Sequence, residues 1–117
     1  MNGQLIANKF VVGDVIRTNP KLAIDIHECM WRKSGYRYGK FVDPISKNRI
    51  TRNYASTIIQ KMPFLRIYSP KGTSPKYVTK PIARKGIPTL LYETYKLDSY
   101  DNKYSDASQL IDVLDKL

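Results

Sequence analysis

With 117 residues, 42% of them hydrophobic, and a net charge of +10, the chain holds enough apolar matter for one compact domain and too much for wholesale disorder. Its longest apolar runs are three residues, as in Phe10-Val11-Val12, which excludes a membrane-spanning helix, and its first residues lack the basic start and apolar core of a secretory leader. Cys29 is the only cysteine, which excludes an internal disulfide and makes a cytoplasmic location the expectation.

In chain order, residues 4–18 admit two readings. Gly13-Asp14 suits a two-residue hairpin turn, and a helix through Leu5, Ile6 and Phe10 fits equally. Asn19-Pro20 reads as a helix start, a capping side chain followed by a residue whose missing N–H costs nothing there. Leu22, Ala23, Ile26, Cys29 and Met30 then share a helical face, and Gly35 ends the helix. Tyr36 to Val42 suits a short strand. Asp43-Pro44 repeats the cap-then-proline pattern and opens a short helix to about Asn48, unless Ser46 caps one continuous helix to Met62. Thr51 caps the next helix, with Tyr54, Ala55, Ile58, Ile59 and Met62 on its apolar face.

Phe64 to Tyr68 and Lys76 to Lys80 alternate as strands about the Pro/Gly/Ser loop 69–75, which predicts a hairpin with a basic tip. Pro88 opens a helix to about Leu97. Ser105 or Asp106 caps a last helix with Ala107, Leu110, Ile111, Leu114 and Leu117 along one side. That stripe is expected to pack on the domain's own core, with homodimerisation as the other outcome, and Asp112 and Asp115 are expected to point away from the basic side.

The charge is segregated. Residues 1–28 are net zero, residues 29–92 hold fourteen bases against Asp43 alone, and residues 93–117 hold six acids against three bases. Such a field suits a polyanion, and phosphate is the commonest. The face of the helix after Thr51 opposite its apolar stripe carries Arg52, Asn53, Ser56, Thr57 and Gln60. Their donors and acceptors match base edges in a major groove. Arg49, Thr51, Lys61, Lys71, Thr73, Lys76, Lys80, Arg84 and Lys85 suit phosphate contact.

The run Ile50-Thr51-Arg52-Asn53-Tyr54-Ala55-Ser56-Thr57-Ile58-Ile59-Gln60-Lys61-Met62, followed at once by the hairpin, resembles the winged helix-turn-helix family over residues 19–81. The resemblance implies an α+β fold with a winged-helix core, to which the helices expected from Pro88 onward add a C-terminal helical extension over 87–117. It implies a recognition helix at Thr51 to Lys61 and a wing tip at Ser69 to Pro75. The function it implies is sequence-specific binding of double-stranded DNA, as a transcription regulator or the DNA-binding module of a replication initiator. No enzyme activity, cofactor, metal or membrane partner is expected, and the chain is expected to be a monomer or a homodimer through its C-terminal helix.

Two other readings stand beside it. Trp31, Tyr36, Tyr38, Phe41 and Tyr68 interleave with bases, as in RNA-binding or ribosome-associated proteins whose rings stack on unpaired bases; Tyr36-Arg37-Tyr38 is the best stacking candidate. Asp98 with Asp101-Asn102-Lys103 imitates a metal-dependent nuclease. His27-Glu28 begins a zinc-protease pattern, but Trp31 stands where the second histidine belongs, and a chain with one His and one Cys cannot assemble the usual zinc sites.

Overall fold

The stretch Thr89-Leu90-Leu91-Tyr92-Glu93 is buried on both faces, and the sheet is built around it. The computed structural model describes residues 11–71 and 78–117. Its elements run α1 (Gly13–Thr18), β1 (Ala23–Cys29), a 3-10 turn (Trp31–Ser34), β2 (Phe41–Pro44), α2 (Arg49–Lys61), β3 (Arg66–Ile67), α3 (Thr79–Arg84), β4 (Thr89–Tyr95) and α4 (Tyr100–Asp115). The strands form one mixed sheet in the order β1-β4-β2-β3. In it β4 lies parallel to β1 and antiparallel to β2, and β2 lies parallel to β3. The described residues form a compact α+β fold of four helices and a four-stranded sheet.

Alternation along the strands divides the sheet into two faces. Ile24, Val42, Leu90 and Tyr92 lie under α2 and α4, where Ala55, Ile58 and Met62 meet Leu110 and Val113 in the main core. The other face carries Asp25, His27, Leu91, Glu93, Phe41 and Asp43 by register. A smaller cluster of Val12, Ile82 and Ile87, with Val15, Ile16 and Val78 against it, joins α1 to α3.

Several elements differ from expectation. Asn19 is the left-handed C-cap of α1, φ 47°, and Pro20 follows it outside the helix; asparagine then proline marks a helix end as well as a start. The helix expected over 19–34 is therefore strand β1, held in register along the apolar β4. Gly13–Thr18 is helical, so no hairpin turns at Gly13-Asp14, while Leu5, Ile6 and Phe10 lie outside the described residues. The strand expected from Tyr36 begins only at Phe41.

The short helix at Pro44 does not form. Ser46 is buried, donates to the Ile87 carbonyl at 3.0 Å and accepts from the Thr89 N–H at 3.0 Å, which pins this segment extended beside the start of β4. The longer helix, α2, forms as expected but is capped by Asn48, whose Oδ1 accepts from the Thr51 N–H at 2.9 Å and the Thr51 hydroxyl at 2.7 Å.

Among the described residues the two strands that the wing needed form no hairpin. Arg66–Ile67 pairs parallel with Phe41–Val42, and Thr79–Arg84 is helical; Gly72 to Tyr77, with Thr73, Lys76 and most of the loop tip, lie outside the described residues. The helix expected from Pro88 is β4, an inner strand of the sheet with its first five residues buried, so residues 87–117 are no extension. The last helix forms with Leu110 and Val113 in the core, and starts earlier than expected, capped by Ser99 Oγ accepting from the Asn102 N–H.

Candidate nucleic-acid interface

At the end of β1 the chain turns sharply through Trp31, a non-glycine residue at φ +53°. The indole is then fixed on three sides. Its Nε1 donates to the Arg37 carbonyl at 3.2 Å, and its ring meets Tyr95 edge-on at 5.7 Å. It lies so close to Gly39 that a Cβ there would sit 3.1 Å from the ring. Glycine is needed at 39 because the indole occupies that space.

Beyond Trp31 the rings form a chain. Tyr38 meets Tyr68 edge-on at 5.3 Å, Tyr68 meets Phe41 at 5.0 Å, and Tyr36 meets Phe41 at 5.3 Å. The Arg37 N–H donates to the Tyr68 hydroxyl at 3.2 Å. Phe41 is wholly buried, so it serves the core, whereas Trp31, Tyr36, Tyr38 and Tyr68 are half-buried. Phe64, just past α2, stays 38% exposed with the Lys40 ammonium 5.3 Å above its ring.

These residues bound an open cleft of about 350 Å³, walled by Trp31, Tyr38, Phe64 and Tyr95 and edged by Lys40, Arg66 and Asp98. That volume is in the ordinary range for small-molecule sites, about 300–1,000 Å³. Arg32 and Arg37 lie over the Trp31 and Tyr38 rings at 5.5 and 5.6 Å, adding positive charge beside those two rings.

Lys40 is anchored between Asp98 at 2.5 Å and Asp106 at 2.8 Å. Burial pulls its pKa down, but the hydrogen bonds to the two carboxylates outweigh burial and hold it above the ordinary lysine value. Lys40, with help from Asn102, holds Asp98 below the usual carboxylate range. Lys40 and Asp98 thus bring a fixed ion pair to the cleft, and its other cation is Arg66, whose side chain among the described residues donates to the Pro63 and Leu65 carbonyls.

The α2 face presents Arg49, Arg52, Asn53, Ser56 and Gln60 to solvent. Thr57 is half-buried and its hydroxyl donates to the Asn53 carbonyl at 3.0 Å. Thr51 is wholly buried and bonded to Asn48, which removes it from the phosphate-contacting set. Lys61 is exposed, but Asp112 and Lys116 of α4 share a hollow with it and Thr57, so Asp112 lies beside this face and not away from it. Lys71, Lys80, Arg84 and Lys85 are exposed near α3, apart from the expected wing geometry.

Asp98, Asp101 and Lys103 do not converge. Asp98 is held by Lys40, while Lys103 donates to the Lys96 carbonyl at 2.6 Å and pairs with Glu28 at 3.5 Å. On the opposite sheet face, His27 lies between Asp25 at 3.0 Å and Glu93 at 3.7 Å. Glu93 is 3% exposed, its Oε2 has no hydrogen-bond partner among the described residues, and burial raises its pKa against the opposing pull of His27. Among the described residues no three His, Cys, Asp or Glu are arranged to hold a metal ion, and no helix is long and apolar enough to cross a membrane.

Sequence reasoning found Trp31 and Tyr38 and missed Lys40, Phe64, Arg66 and Tyr95. Phe64 carried a signal: an aromatic directly after Pro63, at the end of a helix, has little chance of joining that helix's buried stripe. Tyr95 and Lys40 carried none, since their places depend on strand pairing across the sheet. Compared with protein-family models, with curated proteins and with solved structures, the chain shows no match to any of them.

Proposed function

We propose that the chain binds nucleic acid and takes an unpaired base of single-stranded RNA or DNA into the cleft between Trp31, Tyr38 and Phe64. The observation that carries this reading is a locked indole and an exposed phenyl ring lining one cleft with Lys40 and Arg66, while Arg32 and Arg37 lie over the Trp31 and Tyr38 rings. Every base has a π-face, so stacking needs no particular sequence and contributes about 1–3 kcal/mol per base. The surrounding cations meet the strand's phosphates.

Trp31 is the only tryptophan, so its fluorescence reports the cleft directly. Titration with single-stranded oligonucleotides should quench the emission. Phe64→Ala should weaken binding by the stacking energy, about 5- to 150-fold for 1–3 kcal/mol. An emission unchanged at saturation by any single strand, RNA or DNA, would remove the cleft from the site.

A second reading keeps duplex DNA as the ligand, read by Arg52, Asn53, Ser56 and Gln60 with Arg49 at a phosphate. The exposure of this whole stripe favours it. Asp112 lies beside the same face, in a hollow it shares with Lys61 and Lys116.

A further inference from the structure

Strand β1 ends the sheet, and among the described residues β4 is its one partner and no strand lies along its other edge. The Ala23 N–H donates to the Pro88 carbonyl at 2.9 Å, and the Lys96 N–H donates to the Cys29 carbonyl at 2.9 Å. The odd-numbered residues of β1 therefore turn their backbone groups towards β4. Ile24, Ile26 and Glu28 turn theirs outward, and among the described residues those groups have no backbone partner. No lysine or proline guards the strand, and Ile26 is 58% exposed at its midpoint.

We infer that the occupant of this edge is a second copy of the chain, its β1 antiparallel to the first about a two-fold axis at Ile26. This register places Ile26 opposite Ile26 of the second copy, and Ile24 opposite Glu28. All the outward groups of both strands are then hydrogen-bonded. It also sets Asp25 opposite His27 twice, as non-hydrogen-bonded pairs, in which side chains come closest. The register two residues away, about Asp25, would put that carboxylate against its own copy; the one about His27 would set imidazole against imidazole. Avoidance of the Asp25–Asp25 contact and full pairing of the outward groups thus select the same register.

The apolar contact follows from it. Ile26 meets its copy on the helix-bearing face, the face on which neighbouring Ile24 lines an open hollow of about 340 Å³ with Lys21, Leu22, Tyr54, Leu114 and Leu117. The two four-stranded sheets become one continuous sheet through the pair. This inference is independent of the nucleic-acid reading, since the cleft lies beyond the other end of β1 and needs only one copy.

The test is sedimentation velocity of nuclease-treated protein in high salt across a wide concentration series, beside Ile26→Lys and Ile111→Lys. The expected result is a wild-type dimer that Ile26→Lys converts to monomer while far-UV circular dichroism stays unchanged, with Ile111→Lys still dimeric. Ile26→Cys supplies a gain-of-function arm that does not require a charge at the edge to be tolerated. Residues opposed as a hydrogen-bonded pair have Cα atoms about 5.5 Å apart, within disulfide reach. Mild oxidation should therefore link Ile26→Cys into a covalent dimer, and should leave wild type, whose Cys29 is buried, and Ile24→Cys unlinked. A wild-type monomer at every concentration overturns the inference. So does a dimer that only Ile111→Lys dissociates, or one in which Ile24→Cys links and Ile26→Cys does not.

Discussion

Glu93 shows what a single side chain contributes against the fold. Its carboxyl is buried in mid-sheet with one oxygen unpartnered, and desolvation raises its pKa above the ordinary 4.5. A carboxyl whose pKa is raised in the folded state binds its proton more tightly there than in the unfolded chain. Stability from this group is therefore intact below its ordinary value and is lost as pH rises towards the raised one. Glu93→Gln should accordingly melt like wild type near pH 4 and above it at pH 7, by about 1 kcal/mol, the low end of the cost of an unpaired buried polar group. Thermal melts at both pH values check this, and a variant less stable than wild type at pH 7 would assign the carboxylate a stabilising partner. Asp98 has the opposite sign: Lys40 lowers its pKa, so its contribution is present above about 3.8 and falls away in acid. Gly39 is the residue-scale test of the cleft. Gly39→Ala must displace the indole by a few tenths of an ångström, so it should weaken oligonucleotide binding several-fold in wild type and leave binding unaltered in a Trp31→Ala background. Equal effects in the two backgrounds would mean that Gly39 acts elsewhere.

At the scale of elements, legibility followed whether local chemistry or strand pairing decides the conformation. The helix α2 was readable because Tyr54, Ala55, Ile58, Ile59 and Met62 have helical spacing, and α4 because Leu110 and Leu114 do; both bury that stripe on the sheet. β1 was not readable, because Leu22, Ile26, Cys29 and Met30 fit helical spacing while Ile24-Asp25-Ile26-His27 fits alternation. Pairing with β4 over the seven residues Ala23 to Cys29 decides between them. β4 itself looked like a helix from its Pro88 start, since a strand buried on both faces has no alternation to show. Asn19-Pro20 and Asp43-Pro44 misled for different reasons: the first pair ends α1, whereas the second lies in β2, where Asp43 is buried and accepts from the Ser69 hydroxyl. The cleft was half legible, through Trp31 and Tyr38, because its other walls come from β4 and the turn after α2. The cap of α2 shows how much one short side chain fixes. Asn48→Ala should cost about 1 kcal/mol or more, since it frees the Thr51 N–H and leaves the buried Thr51 hydroxyl unpaired. Denaturant melts measure it; a loss of only a few tenths would mean that solvent replaces the cap.

Over the whole molecule, the excess of bases over 29–92 spreads across the cleft rim, the α2 face and the α3 region, so binding should be strongly salt-dependent wherever the bases of the ligand sit. Salt dependence and base contact can be separated because they scale differently. Each phosphate contact on a single strand contributes about 0.7 to the slope of log K against log salt, and about 0.9 on a duplex; a neutral stacking ring contributes nothing to it. Arg66→Ala should therefore weaken single-strand binding and flatten its slope by about 0.7. Trp31→Ala, followed by fluorescence anisotropy of a labelled oligonucleotide, should weaken it by stacking energy and leave the slope unchanged. Asn53→Ala and Gln60→Ala carry no charge and face away from the sheet, so on this reading they leave single-strand affinity and slope as in wild type. If those two substitutions instead cost about 1–3 kcal/mol on one duplex sequence, while Trp31→Ala has no effect on any ligand, then α2 is the reading element. The two readings thus make opposite demands on the same four variants, and a single titration set at two salt concentrations decides between them.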